Sequence, residues 1–192
     1  MAATLSRLAL FGLLPLAAAC ADERPRAGEI ALNEAFRADF DLVDQTGAPA
    51  TDERFEGEPM LIYFGFASCP DVCPTALGVM SASLDALGRR ADEIQPLFIS
   101  VDPERDTPER LSQYLAFDPR ILGLTGDEEA LREAREAMKV FAAKVPLQDS
   151  AMGYTVDHQS MFFLTDASGQ PVVALDDAMA PEDIAAVISR YL

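Results

Sequence analysis

An apolar run from Met60 to Phe66 ends in Ala67-Ser68-Cys69-Pro70-Asp71-Val72-Cys73-Pro74, and this junction constrains the chain more than any other feature. A short continuous apolar run predicts a strand buried on both faces. Pro74 suits the first helical position, where a missing N–H costs nothing, so the spacing predicts a helix from Pro74 to about Leu87, stopped by Gly88. The two cysteines therefore sit where a buried strand hands over to a helix. Unpaired N–H groups and the helix dipole at that point favour a thiolate at Cys73.

The rest of the chain fits an α/β domain around that unit. Phe40–Val43 reads as a short strand followed by a turn over Asp44–Gly47, and Leu97–Val101 as a second buried strand. Thr107-Pro108-Glu109 is a helix cap, a first-turn proline and a first-turn acid. Thr125 and Glu128 have capping-box spacing before a helix with Leu131, Ala134 and Met138 on one face. Met161–Leu164 and Val172–Leu175 read as a hairpin. Pro181 opens a last helix with the apolar stripe Ile184, Val187, Ile188 and Tyr191. Strand, helix, strand, two helices, hairpin and helix in that order predict a thioredoxin-like fold: a central mixed β-sheet with helices on both faces.

Residues 1–19 read as an export signal of the lipoprotein type. Arg7 precedes the apolar run Leu8–Ala19, which is too short to span a bilayer, and Leu16-Ala17-Ala18-Ala19-Cys20 resembles a bacterial lipobox. Cys20 is then the lipidation site and the membrane anchor. Residues 20–35, with Pro25 and Gly28, read as anchor and linker, and residues 36–192 as one domain. The expected location is the periplasmic side of a bacterial cytoplasmic membrane. A formal charge of -17 argues against nucleic acid as a partner, since binding there needs cations that displace counterions.

Three chemistries fit Cys69 and Cys73: a structural disulfide, a thiol–disulfide redox pair and a metal site. His158, the sole histidine, bears on the choice. It precedes the Met161–Leu164 strand, where a thioredoxin-like fold faces the cysteine loop. Redox members of that fold carry a proline there, and Ala151–Ser160 contains none. Two thiolates and one imidazole make a soft, low-coordinate set that suits copper as Cu(I), with the imidazole also suiting Cu(II). Three ligands rather than four disfavour a structural zinc. A thioredoxin-shaped peroxidase is disfavoured because no Arg or Lys lies between Met60 and Gly88 to support a reactive thiolate.

The segment Tyr63–Thr75 resembles the signature of the SCO/SenC family of copper-site assembly proteins. Val101-Asp102-Pro103-Glu104-Arg105-Asp106-Thr107-Pro108 and Tyr154-Thr155-Val156-Asp157-His158-Gln159-Ser160 are similar to two further blocks of that family, in the same order. The resemblance covers residues 36–192. It implies a thioredoxin-like fold and copper held by Cys69, Cys73 and His158. It also implies a metallochaperone that helps build the binuclear copper site of cytochrome c oxidase, or a thiol–disulfide oxidoreductase that reduces that site's cysteines. The implied partners are the copper-accepting oxidase subunit and other copper donors or thiol reductants. Asp102–Pro108 is expected to shape a loop beside the site without direct chemistry, Asp71 and Asp157 to be solvated, and Met152, Met161 and Met179 to be packing or surface residues.

Overall fold

The computed structural model describes residues 27–148 and 150–192. Its elements are β1 (Glu29–Ala31), β2 (Asp41–Asp44), β3 (Pro49–Thr51), β4 (Met60–Gly65), α1 (Val72–Leu87), β5 (Gln95–Ser100), α2 (Pro108–Tyr114), β6 (Leu122–Thr125), α3 (Glu128–Ala137), β7 (Ala142–Pro146), β8 (Tyr154–His158), β9 (Met161–Thr165), β10 (Pro171–Asp176) and α4 (Pro181–Ile188). Eight strands form one mixed sheet in the order β1-β10-β9-β4-β5-β6-β2-β3. β4, β5 and β6 run parallel, and β9 joins β4 antiparallel.

β4 lies at the centre, and all six of its residues are buried. A strand covered on both faces has no room for alternation, which is why Met60–Gly65 is apolar throughout. Tyr63, Phe64, Phe66, Phe98, Phe162 and Phe163 are among the largest fully buried side chains. α1 and α4 pack together, with Leu77, Met80, Leu84, Ile184, Val187 and Ile188 inside. The thioredoxin-like sheet and its helices follow the pattern expected from the chain order.

Several local expectations differ. Residues 29–31, expected within a linker, form the edge strand β1 on β10, and Arg190 pairs with Glu29 at 2.6 Å. α1 starts at Val72, so Pro74 is its third residue; the first four amides of a helix lack partners, so proline is tolerated there too. Gly88, with φ 59°, ends it. Thr125 does not cap α3. It closes β6 and donates its hydroxyl to the Asp106 carbonyl at 2.8 Å, while Asp127 caps α3 by accepting from the Ala130 amide. Leu122-Gly123-Leu124-Thr125 is too short and glycine-interrupted to read as a strand from pattern alone. Tyr191 lies beyond α4 and is partly exposed. β7 and β8, which no sequence signal marked as strands, pair as a separate two-stranded hairpin. The signal and lipidation residues, Cys20 included, lie outside the described residues.

Candidate metal centre

β4 delivers the chain to the cysteine loop at the carboxyl end of the central strand, and the start of α1 holds the loop there. Cys73 is the second residue of α1 and is fully buried; Cys69 is 8% exposed. Both are free thiols. The Cys73 amide donates to the Cys69 sulfur at 3.4 Å, so Cys69 occupies one of the helix's unpaired N–H groups. Asp71, the residue preceding the helix, provides no side-chain cap.

His158 ends β8. Its Nε2 lies 3.4 Å from the Cys73 sulfur, and its Nδ1 lies 3.1 Å from the Gln159 carbonyl oxygen. A carbonyl only accepts, so Nδ1 carries the proton and Nε2 presents its lone pair to the thiol. The ring is wedged edge-on against Tyr63 and Phe66, with centroids at 6.1 and 5.9 Å. Burial pushes the His158 pKa down, which keeps the imidazole neutral.

The thiolate expected at Cys73 is not favoured here. Burial pushes the Cys73 thiol well above its ordinary range, and removal of charge from water outweighs the helix terminus. The S–H instead has Nε2 as a neutral acceptor. Among the described residues no group of three or more His, Cys, Asp or Glu side chains is arranged to hold a metal as it stands. The imidazole and the Cys73 sulfur already meet. Cys69 lies beside that sulfur as well, and its side chain adds to the rise that burial imposes on the Cys73 thiol.

Residues outside the expected set complete the surroundings. The Tyr63 hydroxyl is 2.8 Å from Ser160 Oγ, and Ser160 donates to Asp177. Arg105 stacks at 5.7 Å over the Phe66 ring, so folding brings a cation beside a cysteine segment that has none in sequence. Asp102, Arg105, Asp106 and Tyr154 border the site from both sides; only their shared blocks hinted at this. Asp71 and Asp157 are exposed, as expected of solvated carboxylates. Met152 is 37% exposed, and Met161 Sδ lies 3.3 Å from the Gln159 amide nitrogen.

The SCO1/SenC family model matches residues 28–192. An SCO2-like protein of Rickettsia conorii is 41% identical over 152 residues, covering 77% of this chain and 74% of the relative. The structure of Bradyrhizobium japonicum ScoI with copper bound superimposes with a TM-score of 0.76 at 43% identity, covering 82% of this chain and 100% of that one. BsSco, a member of the Sco family of cytochrome c oxidase assembly proteins in which a disulfide switch was identified, superimposes with a TM-score of 0.65 at 25% identity, covering 84% and 93%.

Proposed function

Because the chain belongs to the SCO1/SenC family, we propose that it is a copper metallochaperone holding one copper ion as cargo through Cys69, Cys73 and His158, for assembly of the binuclear copper site of cytochrome c oxidase. The observation that carries this reading is the 3.4 Å approach of His158 Nε2 to the Cys73 sulfur, with the lone pair on the sulfur side. Two sulfurs and a neutral imidazole are a soft donor set that suits Cu(I) and tolerates Cu(II). A buried thiol of raised pKa gives up its proton only to a metal that binds it well, so loading releases protons and is coupled to pH. A site of only three protein ligands suits cargo that is taken up and handed on.

Anaerobic Cu(I) titration of the reduced protein, with X-ray absorption to count sulfur and nitrogen neighbours, tests the assignment. We expect one copper per chain with two sulfurs and one nitrogen, and loss of tight binding in Cys69→Ala, Cys73→Ala and His158→Ala. Unchanged binding by His158→Ala would overturn the ligand set.

A second reading has its own support: both cysteines are free, and the Cys69 sulfur is one hydrogen bond from the Cys73 amide. The pair would reduce an acceptor disulfide by passing on two electrons and two protons, itself closing to a disulfide. That reading requires His158→Ala to keep full reductase activity.

The same proposal places residues 36–192 outside the cytosol, tethered through a lipid on Cys20. No helix among the described residues is long and apolar enough to cross a membrane. Mass spectrometry of the mature N-terminus tests the lipid.

A further inference from the structure

The turn Asp102–Asp106 holds both halves of the site. Asp106 accepts from the Ala67 amide with both carboxylate oxygens, at 3.2 and 3.1 Å, and from Ser100 Oγ at 2.7 Å. Ala67 opens the loop that leads to Cys69. Asp102, fully buried, accepts from the Tyr154 hydroxyl at 2.7 Å and from Arg105 Nε at 2.5 Å. Tyr154 begins β8, the strand that His158 ends.

The hairpin leans on that anchor because its apolar hold on the body is short: Val156 joins the core, and Ala142 and Tyr154 pack against it in part. Opposed residues of an antiparallel pair share a face, as do alternate residues along a strand. Tyr154, Val156 and His158 therefore line one face with Pro146, Lys144 and Ala142. Within the two strands, Val156 is the one buried residue. Beneath it lies a cavity of about 270 Å³, lined by Val101, Glu128, Arg135, Ala142, Lys144 and Val156. Polar contacts bridge the rest: Arg135 Nη1 to the Ala142 carbonyl at 3.3 Å, and Lys144 to Glu104 at 2.8 Å. Arg105 adds two more, donating to the Tyr154 carbonyl at 3.1 Å and stacking over the Tyr154 ring at 3.9 Å. It also reaches Phe66, whose ring stands nearly perpendicular to that of His158.

The geometry points to Asp102, Arg105 and Tyr154 as positioning residues: they clamp the β7–β8 hairpin to the turn that also holds the cysteine loop, and so set how long His158 stays on the copper. The inference rests on the copper reading above for its cargo, but not for the clamp itself. Loosening Tyr154 frees the far end of a strand whose other end carries the imidazole. Release of the ion then starts from the nitrogen side, with the sulfurs retained.

The test uses the full chain and its Tyr154→Phe variant, which keeps the ring and loses the hydroxyl whose bond Asp102 accepts at 2.7 Å and Glu104 at 3.2 Å. Without metal, hydrogen exchange of the β8 amides should quicken about tenfold in the variant while β4 and β5 are unchanged, the size expected for one such bond. With Cu(I) loaded, transfer to a chelator should quicken about tenfold. With Cu(II) loaded, the electron paramagnetic resonance signature of the bound nitrogen should weaken. In a His158→Ala background Tyr154→Phe should still quicken β8 exchange but weaken the residual copper binding no further, because the clamp acts on the cargo through His158. Arg105→Lys, which keeps the charge and loses the fork, should fall between wild type and Tyr154→Phe. Wild-type exchange in β8 of Tyr154→Phe would overturn the clamp. Faster exchange with unchanged copper transfer would overturn its action on the cargo. If wild type held no copper, the earlier reading would fail, and the exchange data would still decide whether the clamp exists.

Discussion

Gly65 passes directly under the sulfur of Cys73: a Cβ added there would stand 3.1 Å from that sulfur, 2.8 Å from Phe98 Cε2 and 2.9 Å from Tyr63 Cε1. The glycine is required by close approach, since the three neighbours are buried and have little freedom to give way. Gly65→Ala is therefore expected to cost about 1–3 kcal/mol through overpacking. Urea denaturation measures that cost. The same methyl crowds the Cys73 sulfur, so the variant should also bind copper more weakly than its stability loss alone would cause.

Asp106 is buried against the Ala67 amide and Ser100, and burial raises its pKa. A neutral side chain of the same shape that still accepts the amide bond should be tolerated. Asp106→Asn is expected to lose less than about 1 kcal/mol, and Asp106→Ala, which leaves the Ala67 N–H unpaired, about 2–3 kcal/mol. Chemical denaturation of the two variants side by side checks the difference.

Asp118 binds the Arg120 guanidinium at 2.6 Å and the Ser81 hydroxyl at 2.6 Å, tying α1 to the turn after α2. Arg120 first, then Ser81 and the Arg120 amide, hold its pKa down at about 2, against burial that works the other way. A pKa lowered on folding stabilises above the unfolded value, and that stability is lost as pH falls through the folded one. The contribution, ~2 kcal/mol, should thus be present above about pH 4 and gone by about pH 2. Wild type should lose more stability than Asp118→Asn across that window in urea titrations at stepped pH.

β1 supplies a paired edge to β10, and Glu29 meets Arg190. A chain beginning at Asn33 should melt a few degrees lower than one beginning at Ala27, since about 1 kcal/mol moves a domain of this size by roughly 2–4 °C. Equal melting temperatures would mean that β1 adds nothing to stability.

Much of the fold was readable where one local rule dominated. Met60–Gly65 is uniformly apolar because the central strand is buried on both faces; Thr107-Pro108-Glu109 spells its own cap; and Ile184, Val187 and Ile188 mark a face by spacing. Elements without such a rule were missed. β6 is four residues with a glycine, β1 is an edge strand of only three residues, and β7–β8 buries little and is tied down largely by polar contacts. The Thr125–Glu128 spacing pointed to a cap, but Asp127 and a long-range bond to Asp106 took over.

From residue order alone came a doubly buried strand running into two cysteines at a helix start, one histidine far downstream, and three blocks in family order. Those follow from chemistry that is local along the chain. Only the tertiary structure decided that His158 Nε2 reaches Cys73, that burial keeps that thiol protonated, and that one turn holds both Ala67 and Tyr154. These are matters of distance and desolvation between segments up to about ninety residues apart, and no local pattern carries them.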